Sequence, residues 1–125
     1  MSVTYDTGAL IAAEANERQM WALHARALAL GQRPIVPAGV LGQAWRGGPQ
    51  AELSRLLRGC LVEDLSEQRS REAGMACARS GTRDVIDASV VVGALARDAL
   101  VVTSDPGDLA RIADGLGRRL RVHPI

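Results

Sequence analysis

The nine residues Leu100-Val-Val-Thr-Ser-Asp-Pro-Gly-Asp108 constrain the fold of this chain more than any other stretch. An apolar run stops on a carboxylate and turns at once into a helix. Leu100, Val101 and Val102 are bulky or β-branched and uninterrupted by charge, as in a strand covered on both faces. Asp105 then precedes Pro106, and an acid followed by Pro at a first helical turn is a helix-start signal. Asp105 is therefore expected at the carboxyl end of a buried strand, where open α/β sheets bind their ligands. Its alternative role is that of a plain helix cap.

The rest of the chain repeats this grammar. Ser2 to Asp6 alternates as a first strand ending on Asp6, and Thr7 to Glu14 follows as a helix that Asp6 or Thr7 can cap. Asn16 is placed to cap a second helix, which carries Met20, Leu23, Ala27, Leu28 and Leu30 on one face and stops at Gly31. Arg33 to Val36 gives a second strand. Pro37 opens a helix over Ala38–Arg46, closed by Gly47-Gly48-Pro49, and Gln50 to Arg58 is helical again. Cys60 to Leu65 reads as an edge strand. Ser66 caps a helix reaching Arg79, Gly81-Thr82-Arg83 breaks it, and Asp84 to Arg97 is the most apolar helix of the chain. A helix from Gly107 to Leu116 and a short strand from Leu120 complete the series. Strands alternating with helices imply parallel pairing and a three-layer α/β/α sandwich, with residues 1–125 as a single domain.

Composition removes several classes of chemistry. All fifteen basic residues are Arg, so a Schiff-base lysine, a P-loop lysine and the lysine of a phosphorylation receiver are excluded. The Gly107 region lacks the spacing of a dinucleotide-binding loop. Cys60 and Cys77 have no metal-type spacing and read as separate thiols. His24 and His123 lack the paired spacing of a zinc site. A net charge of +1 carries no global signature for nucleic acid. No apolar run approaches the roughly 18 residues needed to cross a bilayer, and no basic leader precedes an apolar one, so a soluble cytoplasmic protein is expected.

Three acids then converge on paper: Asp6 after the first strand, Asp105 after the fourth, and Asp87 near the start of the apolar helix. At about 100° per residue Asp87 projects among Val90, Val91 and Ala94, where an ionised carboxylate is costly unless cations or donors meet it. Asp84 lies one turn earlier, where a first-turn acid interacting with the helix dipole is the simpler reading. Carboxylates brought together repel, and such a cluster persists mainly around a hard divalent cation. Mg²⁺ or Mn²⁺ held by few carboxylates and several waters works on phosphate esters. Ser104 is placed to orient a carboxylate or a water from behind.

Four segments in order carry a family resemblance: Tyr5-Asp6-Thr7-Gly8-Ala9-Leu10-Ile11; Val36-Pro37-Ala38 with Gln43-Ala44-Trp45-Arg46-Gly47-Gly48; Asp84-Val-Ile-Asp87-Ala88; and Val102-Thr-Ser-Asp-Pro-Gly-Asp108. Each is weak alone, but as an ordered set spanning nearly the whole chain they resemble the PIN-domain family, and within it the VapC-type toxins of bacterial toxin–antitoxin pairs. The resemblance implies a PIN-like sandwich around a parallel sheet. It also implies Mg²⁺- or Mn²⁺-dependent endonucleolytic cleavage of RNA, repression by a cognate antitoxin, and a homodimer. Asp6, Asp87 and Asp105 match three of the family's four acidic positions. The fourth, ordinarily Glu, is Gln43 here. An amide keeps the size and an acceptor oxygen but loses the charge, which implies weaker metal affinity. Asp108 and Asp84 are the nearest acids to make up the missing charge.

Arg46 beside Trp45 can present a guanidinium and a flat ring to a nucleic acid, with Trp45 alternatively a core or dimer-interface anchor. Arg69, Arg71, Arg79 and Arg83 alternate with Glu67 and Glu72, as on a solvated helix. Two functions follow. One is a metal-dependent ribonuclease; the other is a weakened PIN domain that binds RNA or a protein without cutting, motivated by Gln43. A receiver-like or nucleotide-binding α/β domain lacks its Lys and its Gly-rich loop.

Overall fold

The computed structural model describes residues 2–125, so Met1 lies outside the described residues. In chain order the elements are β1 (Val3–Tyr5), α1 (Thr7–Glu14), α2 (Arg18–Ala29), β2 (Ile35–Pro37), α3 (Ala38–Ala44), α4 (Ala51–Arg58), β3 (Leu61–Glu63), α5 (Glu67–Ser80), α6 (Val85–Arg97), β4 (Leu100–Thr103), α7 (Pro106–Gly115) and β5 (Arg121–Pro124). Every element expected from the sequence forms, with its boundaries shifted by a few residues.

The five strands make one parallel sheet in the order β3-β2-β1-β4-β5. From β1 the chain steps outward through β2 to β3, then returns to the other side of β1 for β4 and β5. The direction of winding reverses between β1 and β4. Right-handed crossovers on the two sides of that reversal send α1 to α4 to one face of the sheet and α5 to α7 to the other. The packing agrees: α5, α6 and α7 contact one another, while α1 contacts α2, α3 and α4. Between these layers Tyr5, Val36, Val101 and Val102 from the strands meet Leu10, Leu53, Val90, Val91 and Leu109 from the helices, all fully buried.

Local deviations have local causes. Asn16 does not cap α2; it takes the left-handed conformation (φ 57°), which an Asn tolerates, and Glu17 occupies the cap position. Pro37 ends β2 and also holds the cap position of α3, which starts at Ala38 as expected but stops at Ala44, two residues short of Arg46. Ser66 caps α5 as expected, accepting from the Arg69 N–H. His24 is a core residue: the buried Tyr5 hydroxyl lies 2.8 Å from its Nδ1. Burial pushes the Tyr5 pKa up and the His24 pKa down, so a protonated phenol donates to a neutral ring.

Two glycines let the layers close around the reversal. A Cβ on Gly8, in the first turn of α1, would lie 2.1 Å from Ser104 Oγ, 2.7 Å from its Cβ and 3.0 Å from its backbone nitrogen. A Cβ on Gly39 in α3 would lie 2.4 Å from Ile86 Cδ1, the movable end of a side chain, with other Ile86 atoms at 3.5 Å or more. Both positions are helical, where Ala is favoured over Gly by about 1 kcal/mol. Gly39→Ala is therefore expected to be near neutral, because Ile86 can turn aside. Gly8→Ala should destabilise by about 1–2 kcal/mol, since backbone must move. Equal denaturation midpoints for the two variants would refute this account of the α1–β4 contact.

Candidate active site

Asp6 immediately follows β1 and Asp105 stands two residues beyond β4, so both acids emerge at the carboxyl edge of the two strands that flank the winding reversal. A crevice opens at such a point because the connections on either side depart to opposite faces. Here it is a cleft of about 420 Å³ lined by Asp6, Thr7, Gly8, Gln43, Arg46, Asp84, Asp87, Asp105 and Asp108. All the acids singled out from the sequence share this one cleft, together with Gln43 and Arg46.

Asp6 is the fixed member. Its backbone N–H donates to the Val102 carbonyl at 3.0 Å, locking the residue to β4. Its carboxylate is buried; Thr103 Oγ1 donates to Oδ2 at 2.8 Å, and Oδ1 has no hydrogen-bond partner among the described residues. Although Asp6 occupies the cap position of α1, its side chain makes no capping bond. Burial raises its pKa above the usual carboxylate value, with the Asp105 and Asp84 charges adding to the rise. A buried carboxylate oxygen without a donor is costly, and here it belongs to a side chain lining an acidic cleft.

Asp105 holds the N-terminal position of α7 without a side-chain cap bond, so the plain-cap role does not describe it. Asp84 is the residue that caps: its Oδ1 accepts from the Asp87 N–H at 2.9 Å. That bond fixes the first turn of α6 and presents Asp87 to the cleft. Burial, followed by the Asp84, Asp6 and Asp108 charges, pushes the Asp87 carboxyl up to about 7. Asp108 is exposed and lies 3.5 Å from the Arg111 guanidinium. Gln43, near the end of α3, is held at the rim by the Thr7 hydroxyl, which donates to its Oε1.

Two residues of the site were not singled out from the sequence. Thr103 bridges the two strand-end acids: it donates to Asp6 and its Oγ1 accepts the Asp105 N–H at 2.9 Å. Ser104 makes no carboxylate contact and instead packs on Gly8. The signal for Thr103 was its hydroxyl two residues before an acid, the spacing of a side-chain turn. Thr7, expected only as a possible cap, instead orients Gln43. Trp45 is 43% exposed and is no core anchor. The Arg46 guanidinium donates to the Trp45 and Gly42 carbonyls and meets no carboxylate.

The donors suit a hard cation: aspartate oxygens, one of them buried and unpartnered. Among the described residues no three His, Cys, Asp or Glu side chains are gathered closely enough to form a ready-made ligand group. The carboxylates line the cleft wall without closing into such a group.

The sheet order, the all-parallel pairing and the two helix layers define a PIN-like α/β/α fold. One solved structure that the chain resembles is VapBC2 from Rickettsia felis bound to a DNA fragment from its promoter, with a TM-score of 0.75 over 100% of this chain and 99% of that one. Sequence identity is 17%, so the likeness is one of fold. No protein-family model and no curated protein matches the chain. No helix among the described residues is long and apolar enough to cross a membrane.

Because the folded Asp87 value lies above its ordinary 3.8, the native state holds a proton that the unfolded chain has released between those two values. Its stabilising contribution is complete below the lower value and is lost as pH rises through about 7. His24 has the opposite sign, its lowered pKa removing stability as pH falls below 6.5. Comparison with Asp87→Asn isolates the acid. In chelator, the variant is expected to melt above the wild type by a margin that widens as pH rises from about 4 to about 7 and is level above that. A pH-independent margin in thermal melts would contradict the crowding of Asp87.

Proposed function

We propose that this protein is a divalent-metal-dependent endoribonuclease, the toxin half of a type II toxin–antitoxin pair of the VapC kind. The observation that carries this reading is the set of aspartates from separate segments lining one cleft at the winding reversal, with the buried Asp6 Oδ1 lacking any donor. Asp6, Asp87 and Asp105 would hold Mg²⁺ or Mn²⁺, and Asp108 is placed as an additional ligand. Such an ion, held by these residues, would supply Lewis-acid polarisation of the phosphodiester and lower the pKa of a coordinated water.

The chain's own groups do the positioning. Thr103 keeps the Asp6 carboxylate turned so that Oδ1 remains free. Asp84 holds the first turn of α6, and with it Asp87. Thr7 fixes Gln43 at the rim, where an amide can donate to a phosphate oxygen or a water. Arg46, free of carboxylate partners, offers a guanidinium to a phosphate. The resembled complex, VapBC2 on promoter DNA, supports a cognate antitoxin as the regulatory partner. The same reading includes a cytoplasmic location and a homodimer.

Gln43 favours a second reading, a weakened PIN domain that binds RNA or a partner protein without cutting. Purified protein incubated with single-stranded RNA and Mn²⁺ separates the two. The nuclease reading expects endonucleolytic products that vanish in chelator and fall by about 100-fold in Asp6→Asn and Asp105→Asn, as loss of a group acting on the reacting phosphate entails. Silence of the wild type, with cutting gained in Gln43→Glu, would establish the binding module instead. Unimpaired cleavage by Asp105→Asn would overturn the proposed site.

A further inference from the structure

A second cavity of about 400 Å³ adjoins the acidic cleft, and the proposed chemistry makes no use of it. The two share Asp84, Asp87 and Asp108 as a common wall. Beyond that wall the second cavity is lined by Thr82, Arg83 and Arg111, and it does not include Asp6, Gln43, Arg46 or Asp105. Arginine therefore lines both cavities: Arg46 the acidic cleft, and Arg83 and Arg111 the second, across the shared wall.

Arg83 lies in the break between α5 and α6, just after Gly81 turns the chain with φ 79°. It forms no ion pair or side-chain hydrogen bond among the described residues, although three carboxylates line the same cavity. Arg111 is committed only to Asp108, at 3.5 Å with both side chains largely exposed, a contact of little strength in water. A polyanion threading past five carboxylates is repelled there and needs cations beyond the cluster to hold it. Guanidinium groups fork onto phosphate oxygens and are always charged.

We infer that the second cavity is a phosphate-binding subsite for single-stranded RNA. Arg83 and Arg111 hold the backbone on one side of the phosphodiester bond presented to the aspartates, and Arg46 holds it on the other. This inference rests on the proposal that the acidic cleft acts on RNA. It adds which residues carry the strand and from which side.

Binding of a fluorescein-labelled RNA of about 20 nucleotides, followed by anisotropy in chelator, tests the subsite without requiring catalysis. For the double variant Arg83→Ala/Arg111→Ala we expect about tenfold weaker binding at low salt, and a log Kd against log salt slope shallower by about 1.4, the loss of two single-strand phosphate contacts. Arg83→Lys/Arg111→Lys should keep much of the affinity, and Arg26→Ala/Arg58→Ala, at exposed positions on α2 and α4, should bind like the wild type. Mn²⁺ affinity by calorimetry should not fall in Arg83→Ala/Arg111→Ala, since the variant removes cations beside the carboxylates. Wild-type binding by that variant, or an equal loss in the α2/α4 control, overturns the subsite. An arginine-dependent affinity in a protein that never cleaves RNA sinks the nuclease reading and leaves the subsite standing. Brisk cleavage with an unaltered KM in Arg83→Ala/Arg111→Ala sinks the subsite alone.

Discussion

The structure depends on keeping one carboxylate buried where the sheet changes its direction of winding. Asp6 sits there because β1 is a central strand, flanked by β2 and β4, and ends at that point. Its pKa is raised by burial and by neighbouring acids, against which the Thr103 hydroxyl donates a single hydrogen bond. An isolated charge in such a place is expensive. The surrounding architecture can be understood as the means of holding it there: the Asp6 N–H bonded to β4, Thr103 fixing one carboxylate oxygen, and the first turn of α1 pressed on the β4–α7 connection.

That last contact shows how small residues position the chemistry. Gly8 brings α1 against Ser104, and Gly39 brings α3 against Ile86 in the first turn of α6. The contacts join the four segments that carry Asp6, Gln43, Asp87 and Asp105. A larger residue at Gly8 would separate Asp6 from the Thr103–Asp105 turn. Stability and site geometry are thus set by the same close approaches. The carboxylates themselves contribute the opposite effect, since bringing Asp84, Asp87 and Asp108 near Asp6 raises the free energy of the metal-free fold.

The architecture was legible because its signals are local and periodic: apolar runs of strand length, helices opened by Asp84 or by Asp105-Pro106, and stops at Gly31 and Gly81. The convergence of Asp6, Asp87 and Asp105 followed from strands that end on acids in a parallel sheet. Side-chain partners were less legible. Ser104 and Thr103 are both hydroxyl residues before Asp105, but Thr103 bonds Asp6 whereas Ser104 packs on Gly8. Which one faces Asp6 is set by the β1–β4 register, Tyr5 opposite Val102, a long-range pairing that no short motif encodes. Asn16 failed as a cap for a related reason. A left-handed turn there satisfies the connection, and the next residue takes the cap position.

Gln43 is best understood through the same electrostatics. The cleft already holds five carboxylates against one guanidinium, and two of the acids have raised pKa values. A Glu at position 43 would add a sixth negative charge at a rim where Thr7 supplies one hydroxyl donor. The amide accepts that same bond, keeps its NH₂ group available to a phosphate, and adds nothing to the repulsion. Under the proposed metal-dependent reading its cost would fall on cation affinity, because the ion would lose a charged partner. Asp108, held only by a weak exposed contact to Arg111, is the acid that the proposed reading uses to restore that charge.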